Sequence, residues 1–120
     1  MEIRVDTQRV NLPRRSISAL RHRIGQAFER VGSGVRRLHI TLKDINGPRG
    51  GRDKVCVLRA ELADGGEVVV VDRSEKLRRA LFRSLRRGRR LVRREAQRRQ
   101  SMQRARANRR RTPWIPEPAA

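Results

Sequence analysis

The sequence predicts an α+β fold of order βαβββα: a four-stranded sheet with two helices packed on one face, followed by a disordered C-terminal tail. Three observations carry that prediction. Three segments alternate apolar and polar residues with a period of two, a fourth is a short apolar run behind a Gly-Gly turn, and two segments repeat apolar residues at helical spacing. With 120 residues, 36% of them hydrophobic, the chain can bury one modest core. One domain over residues 1–97 and a tail over 98–120 are therefore expected.

Ile3 and Val5 alternate with Glu2, Arg4 and Asp6, as a short half-buried strand requires. After the Asn11-Leu12-Pro13 break, Ile17, Leu20, Ile24, Ala27, Phe28 and Val31 recur at helical spacing, and Gly32-Ser33-Gly34 stops the helix. Its outward face carries Arg21, Arg23 and Arg30, a second and weaker basic surface. Leu38, Ile40 and Leu42 then alternate with Arg37, His39, Thr41 and Lys43, and Cys56, Leu58, Ala60 and Leu62 alternate with Val55, Val57, Arg59 and Glu61. The Gly- and Pro-containing stretch between these two strands reads as a mobile loop joining antiparallel neighbours. Gly65-Gly66 turns the chain into Glu67 to Val71, a run apolar on both faces that suits a well-covered strand.

Ser74 is the expected N-cap of the last helix, with Glu75 in its first turn. A rotation of about 100° per residue gathers Leu77, Ala80, Leu81, Ser84, Leu85, Gly88, Leu91 and Val92 into one stripe. Gly88 costs about 1 kcal/mol relative to Ala within a helix, a cost consistent with close packing on the sheet. Arginines cover the rest. Arg98 and Arg99 fall on or beside the stripe, so the packed part should end near Glu95 to Gln97 even if helix continues in solvent. From about Ser101 the apolar periodicity is lost, and this tail is read as disordered in isolation.

Charge is the most uneven property of the chain. Between Arg73 and Arg111 stand 18 Lys and Arg against only Glu75 and Glu95, so 18 minus 2 places +16 of the total +20 in that segment. Ordinary solvated helix faces mix signs, whereas neighbours one turn apart here are mostly Arg with Arg and mutually destabilising. Such a surface becomes favourable when a partner supplies phosphates and counterions are released. Only Lys43, Lys54 and Lys76 are lysines, and the other 29 cations are arginines, whose planar fork suits phosphate contacts and stacking; a GC-rich genome would also favour arginine. Phe82 projects into the basic face near Arg78, Arg86 and Arg89, where it either packs against a loop, the commoner outcome, or stacks on a base or ribose.

Other chemistry finds little support. Gly47 to Lys54 lacks the Gly-Lys-Ser/Thr ending of a phosphate loop and leads into a strand rather than a helix. Arg49, Arg52 and Lys54 remain candidates to touch a phosphate backbone. Cys56 is expected in the core rather than as a nucleophile, and with His22 and His39 it makes no metal pattern. No catalytic residue, metal or cofactor is expected. The N-terminus lacks a secretory apolar core and Val68 to Val71 is too short to span a bilayer, so a cytoplasmic location without membrane or small-molecule partners is expected.

The segment Asp44-Ile45-Asn46-Gly47-Pro48-Arg49-Gly50-Gly51-Arg52-Asp53-Lys54, followed by Val55-Cys56-Val57-Leu58-Arg59-Ala60-Glu61-Leu62, resembles the ribosome hibernation promoting factors, also called ribosome-associated inhibitors or sigma-54 modulation proteins. The resemblance covers about residues 1–97 and is to the short form. It implies a translation inhibitor of stress and stationary phase that binds 16S-type rRNA of the small ribosomal subunit, in the cleft for messenger and transfer RNA, and keeps idle ribosomes inactive. By motif position it implies RNA contacts for Arg23 and Arg30 on the first helix and Arg87, Arg90 and Arg94 on the second, while Arg83 and Arg86 follow from helix geometry. The chain departs from the family where the last helix begins Leu77-Arg78-Arg79-Ala80-Leu81 instead of with an aromatic residue and Ala-Ile. Without the long form's dimerisation domain it is expected to be a monomer off the ribosome. A general binder of double-stranded or structured RNA is the alternative. A membrane-surface helix is disfavoured because its apolar stripe is needed to cover the sheet.

Overall fold

The computed structural model describes residues 1–29, 31, 34–45 and 53–111. Its elements are β1 (Glu2–Gln8), α1 (Arg14–Glu29), β2 (Val35–Asp44), β3 (Lys54–Leu62), β4 (Glu67–Ser74) and α2 (Leu77–Arg111). The strands lie in the order β1-β2-β3-β4, with β1 parallel to β2 and the other pairs antiparallel. A parallel pair needs a crossover connection, and α1 supplies it. The βαβββα expectation and the placement of both helices on one face hold.

Alternation along each strand decides which residues meet the helices. Leu38, Ile40 and Leu42 of β2, Cys56, Leu58, Ala60 and Leu62 of β3 and Val70 of β4 point inward and form one cluster with Ile24 and Phe28 of α1 and with Ala80, Leu81, Leu85 and Val92 of α2. A register shift between Val35 and Arg37 resets the phase, so Val35 is buried as well. At the β3–β4 turn Gly65 has φ of 100°, a conformation that favours glycine. No helix among the described residues is long and apolar enough to cross a membrane.

Two expectations are corrected. β4 is not covered on both sides: it is an edge strand, and Val69 and Val71 on its outer face are 48% and 50% exposed. The apolar run reflects β-branched residues favoured in any strand rather than a second layer. Ser74 closes β4 instead of capping the helix directly; its hydroxyl accepts from the Lys76 amide at 3.3 Å, and α2 starts at Leu77 with no acid in its first turn.

The packed part of α2 ends close to the place expected. Ala96 lies against Gly34, with a Cβ added there 3.8 Å away, and Arg99 reaches Asp64 of the β3–β4 turn at 3.2 Å. Beyond Arg99 the helix runs on to Arg111, and the side chains of residues 101–109 are all exposed. Helix thus covers much of the segment expected as tail, and residues 112–120 lie outside the described residues.

Candidate nucleic-acid interface

The two sides of the molecule differ in charge. On the open face of the sheet, cations and acids pair across strands: Arg37 with Glu2 at 3.0 Å and Glu61 at 3.6 Å, Arg59 with Glu67 at 2.9 Å, and His39 with Asp6 at 2.6 Å. The hydrogen bond from His39 is the main cause that holds the Asp6 carboxyl below its ordinary pKa, and Glu2 likewise raises Arg37. His39 therefore has a partner on this face. This face is locally neutralised.

The helix side is not. Arg83, Arg86, Arg87, Arg90 and Arg94 recur at intervals of three and four residues, which places them on one face of α2, and all five are exposed. Arg87 alone leans toward β4, with Nη1 3.5 Å from the Val71 carbonyl oxygen and 3.9 Å from Asp72. Arg83, Arg86, Arg90 and Arg94 have no ion pair among the described residues, whereas Arg98 and Arg99 further along are held by Glu95 at 2.6 and 3.2 Å. Those two bonds also lower the Glu95 pKa, Arg98 contributing most.

Gly88 lets this helix sit close to the sheet. A Cβ added there would stand 2.9 Å from Leu58 Cδ2 and 3.1 Å from Cδ1, closer than van der Waals contact allows. The same helical turn holds Ser84 under the sheet, its hydroxyl 2.8 Å from the Leu81 carbonyl oxygen and 2.9 Å from Cys56 Sγ. Burial is the chief reason the Cys56 thiol is pushed up to about 11, which makes it inert at neutral pH, as its core position implied.

On the α1 side, Arg23 lies over the Phe82 ring at 5.4 Å from its centroid, and Arg78 follows at 6.0 Å. Phe82 is therefore not packed away; it stands 38% exposed at a groove between the two helices. One part of that groove, about 490 Å³, is lined by Arg23, Gln26, Ala27, Phe82, Leu85, Arg86 and Arg89. Sequence reasoning placed Arg78 and Arg89 in the basic face without selecting them, and it missed Gln26, which carries no periodic signal.

The loop candidates fare differently. Arg30, Arg49 and Arg52 lie outside the described residues. Lys54 is described, and its ammonium donates to Asp44 at 2.8 Å and to Asp53 at 3.1 Å, an arrangement that raises its pKa, the Asp44 bond foremost. It joins the two ends of the loop rather than reaching outward. Among the described residues, no group of three His, Cys, Asp or Glu could hold a metal ion.

Fold and surface together define a class: a βαβββα sheet domain with a neutralised sheet face and an arginine-bearing helix face. No family model matches the sequence, and no curated protein is similar to it. Solved structures are. The chain is similar to the N-terminal domain of Thermus thermophilus Protein Y, with 17% identity, a TM-score of 0.63, and coverage of 78% of this chain and 98% of that one. It is also similar to a ribosomal subunit interface protein from Coxiella burnetii, with 15% identity, a TM-score of 0.57, and coverage of 77% and 93%. At these identities the likeness establishes the fold, and it agrees with the βαβββα order expected from the sequence.

Proposed function

We propose that this protein is a ribosome-associated translation inhibitor that binds the small ribosomal subunit in the cleft for messenger and transfer RNA and keeps idle ribosomes inactive. One observation supports it above the others: the single face of α2 on which Arg83, Arg86, Arg90 and Arg94 stand without ion-pair partners among the described residues, with Arg87 beside them. Unpaired guanidinium groups on a rigid helix present forks to phosphates without first breaking internal bonds. Arg23 extends that surface onto α1. The second support is the fold shared with a protein described as a ribosomal subunit interface protein. The protein acts by occupation rather than by chemistry, as a cytoplasmic monomer when off the ribosome, in stress and stationary phase.

Sedimentation of stationary-phase extracts at low salt tests the proposal. The protein is expected with the small subunit, and combined Arg87→Ala, Arg90→Ala and Arg94→Ala substitution is expected to release it. Recovery only in ribosome-free fractions would sink the reading. Displacement from ribosomes by a modest excess of generic RNA duplex would instead favour a general binder of A-form RNA.

A further inference from the structure

The groove between α1 and α2 offers more than charge. Phe82 is one of only two phenylalanines in the chain; the other, Phe28, is 1% exposed in the core, whereas Phe82 is left at the surface by a helix whose apolar stripe does not need it. Its ring is covered by guanidinium groups, which are planar, weakly hydrated and attached to flexible stems, so they can move aside or stack on an arriving ring. Arg23 and Phe82 also line a second hollow of about 380 Å³, floored by Leu20, Leu42, Leu77 and Leu81. Apolar walls, cationic rims and no acidic lining residue characterise both hollows.

We infer that this groove is a nucleobase site: an unpaired base of the bound RNA enters between the helices and stacks on Phe82, with Arg23 beside it and Arg86 and Arg89 on the flanking phosphates. The inference rests on the RNA-binding reading above and adds a contact that electrostatics alone would not supply. Gln26, with both a donor and an acceptor, stands where it can meet a base edge. An acidic amphipathic peptide would also match the charge. A base fits better, because the groove gathers planar groups around one aromatic ring and opens beside the arginine face that a phosphate chain would follow.

The test uses the full chain and two RNA hairpins of equal length, one fully paired and one carrying a single bulged 2-aminopurine. Native protein is expected to quench the 2-aminopurine and to bind the bulged hairpin about 10-fold more tightly than the paired one. Phe82→Leu, at an exposed position that leaves the fold intact, is expected to abolish both effects while leaving affinity for the paired hairpin and the salt slope unchanged. Phe82→Trp is expected to keep them. Equal quenching by native protein and Phe82→Leu would overturn the inference, as would displacement of an acidic amphipathic peptide, but not the base, by that substitution. Sedimentation separates the two proposals. If Phe82→Leu binds ribosomes as native protein does and native protein shows no quenching, the base site falls and the ribosome reading stands; quenching without ribosome association does the reverse.

Discussion

Cys56 lies under α2 with its thiol pushed up to about 11 from 9.0, chiefly by burial, so the unfolded chain loses that proton at lower pH than the native protein. Below pH 9 both states hold the proton and the thiol has no effect on stability; as pH rises from about 9 to 11 only the unfolded state ionises, and stability falls. Denaturant titrations across that range should show this decline, and Cys56→Ala should flatten it. At pH 8 the native thiol should resist thiol reagents that label it at once in denaturant. The core position of Cys56 was legible because a period of two fixes the face of every strand residue. The role of Lys54 was not, because it depends on the register that sets Asp44 opposite Lys54. Lys54→Met leaves Asp53, which is buried, without its cation, and should lower the thermal midpoint while leaving RNA affinity of the folded protein unchanged. Loss of RNA affinity at a temperature where the variant is fully folded would return Lys54 to the interface.

At the scale of elements, α2 is set by a single missing side chain. Gly88→Ala gains about 1 kcal/mol of helix propensity but forces a methyl against Leu58, and overpacking costs about 1–3 kcal/mol. The variant should be less stable by up to about 2 kcal/mol in urea titrations, and adding Leu58→Val should recover part of the loss. A stabilised Gly88→Ala would mean the helix stands further off the sheet than described. The stripe from Leu77 to Val92 and the need for Gly88 were legible because helical spacing alone orients those residues. Arg99 shows where that logic stops: it interrupts the apolar stripe, yet its guanidinium lies 2.6–2.7 Å from where a Gly66 Cβ would be and bonds Asp64 at 3.2 Å. A polar group at a core-facing position is read as the end of packing, and only the turn beside it shows that it fastens the helix. The uncovered outer face of β4 was hidden for a related reason, since valines satisfy strand propensity whether or not anything lies over them.

For the molecule as a whole, charge is sorted by face: acids of the sheet pair with their neighbours, and the excess of arginine lies along α2. From Gln100 to Arg111 that helix extends about 18 Å past Arg99, at 1.5 Å per residue, and carries Arg104, Arg106 and Arg109 to Arg111. Truncation after Arg99 should leave the fold intact by circular dichroism and reduce the slope of log affinity against log salt by about 3 to 5, as each lost phosphate contact removes about 0.7–0.9. An unchanged slope would show that this segment stays off the RNA. The total charge was legible in composition, but its sorting by face required the sheet register. The bare edge of β4 gains a further meaning here, in colloidal terms. Val69 and Val71 form a strip beside the free edge of β4, the kind of edge through which copies cohere, and Arg87 near the Val71 carbonyl guards it together with the charged Arg59, Glu67 and Arg73 around the strip. Mutual repulsion between copies carrying +20 keeps such edges apart in free protein. A polyanion that cancels the charge lowers that barrier, so light scattering should rise when short RNA is added to near charge neutrality and fall again in excess RNA, and Val69→Thr with Val71→Thr should suppress the rise.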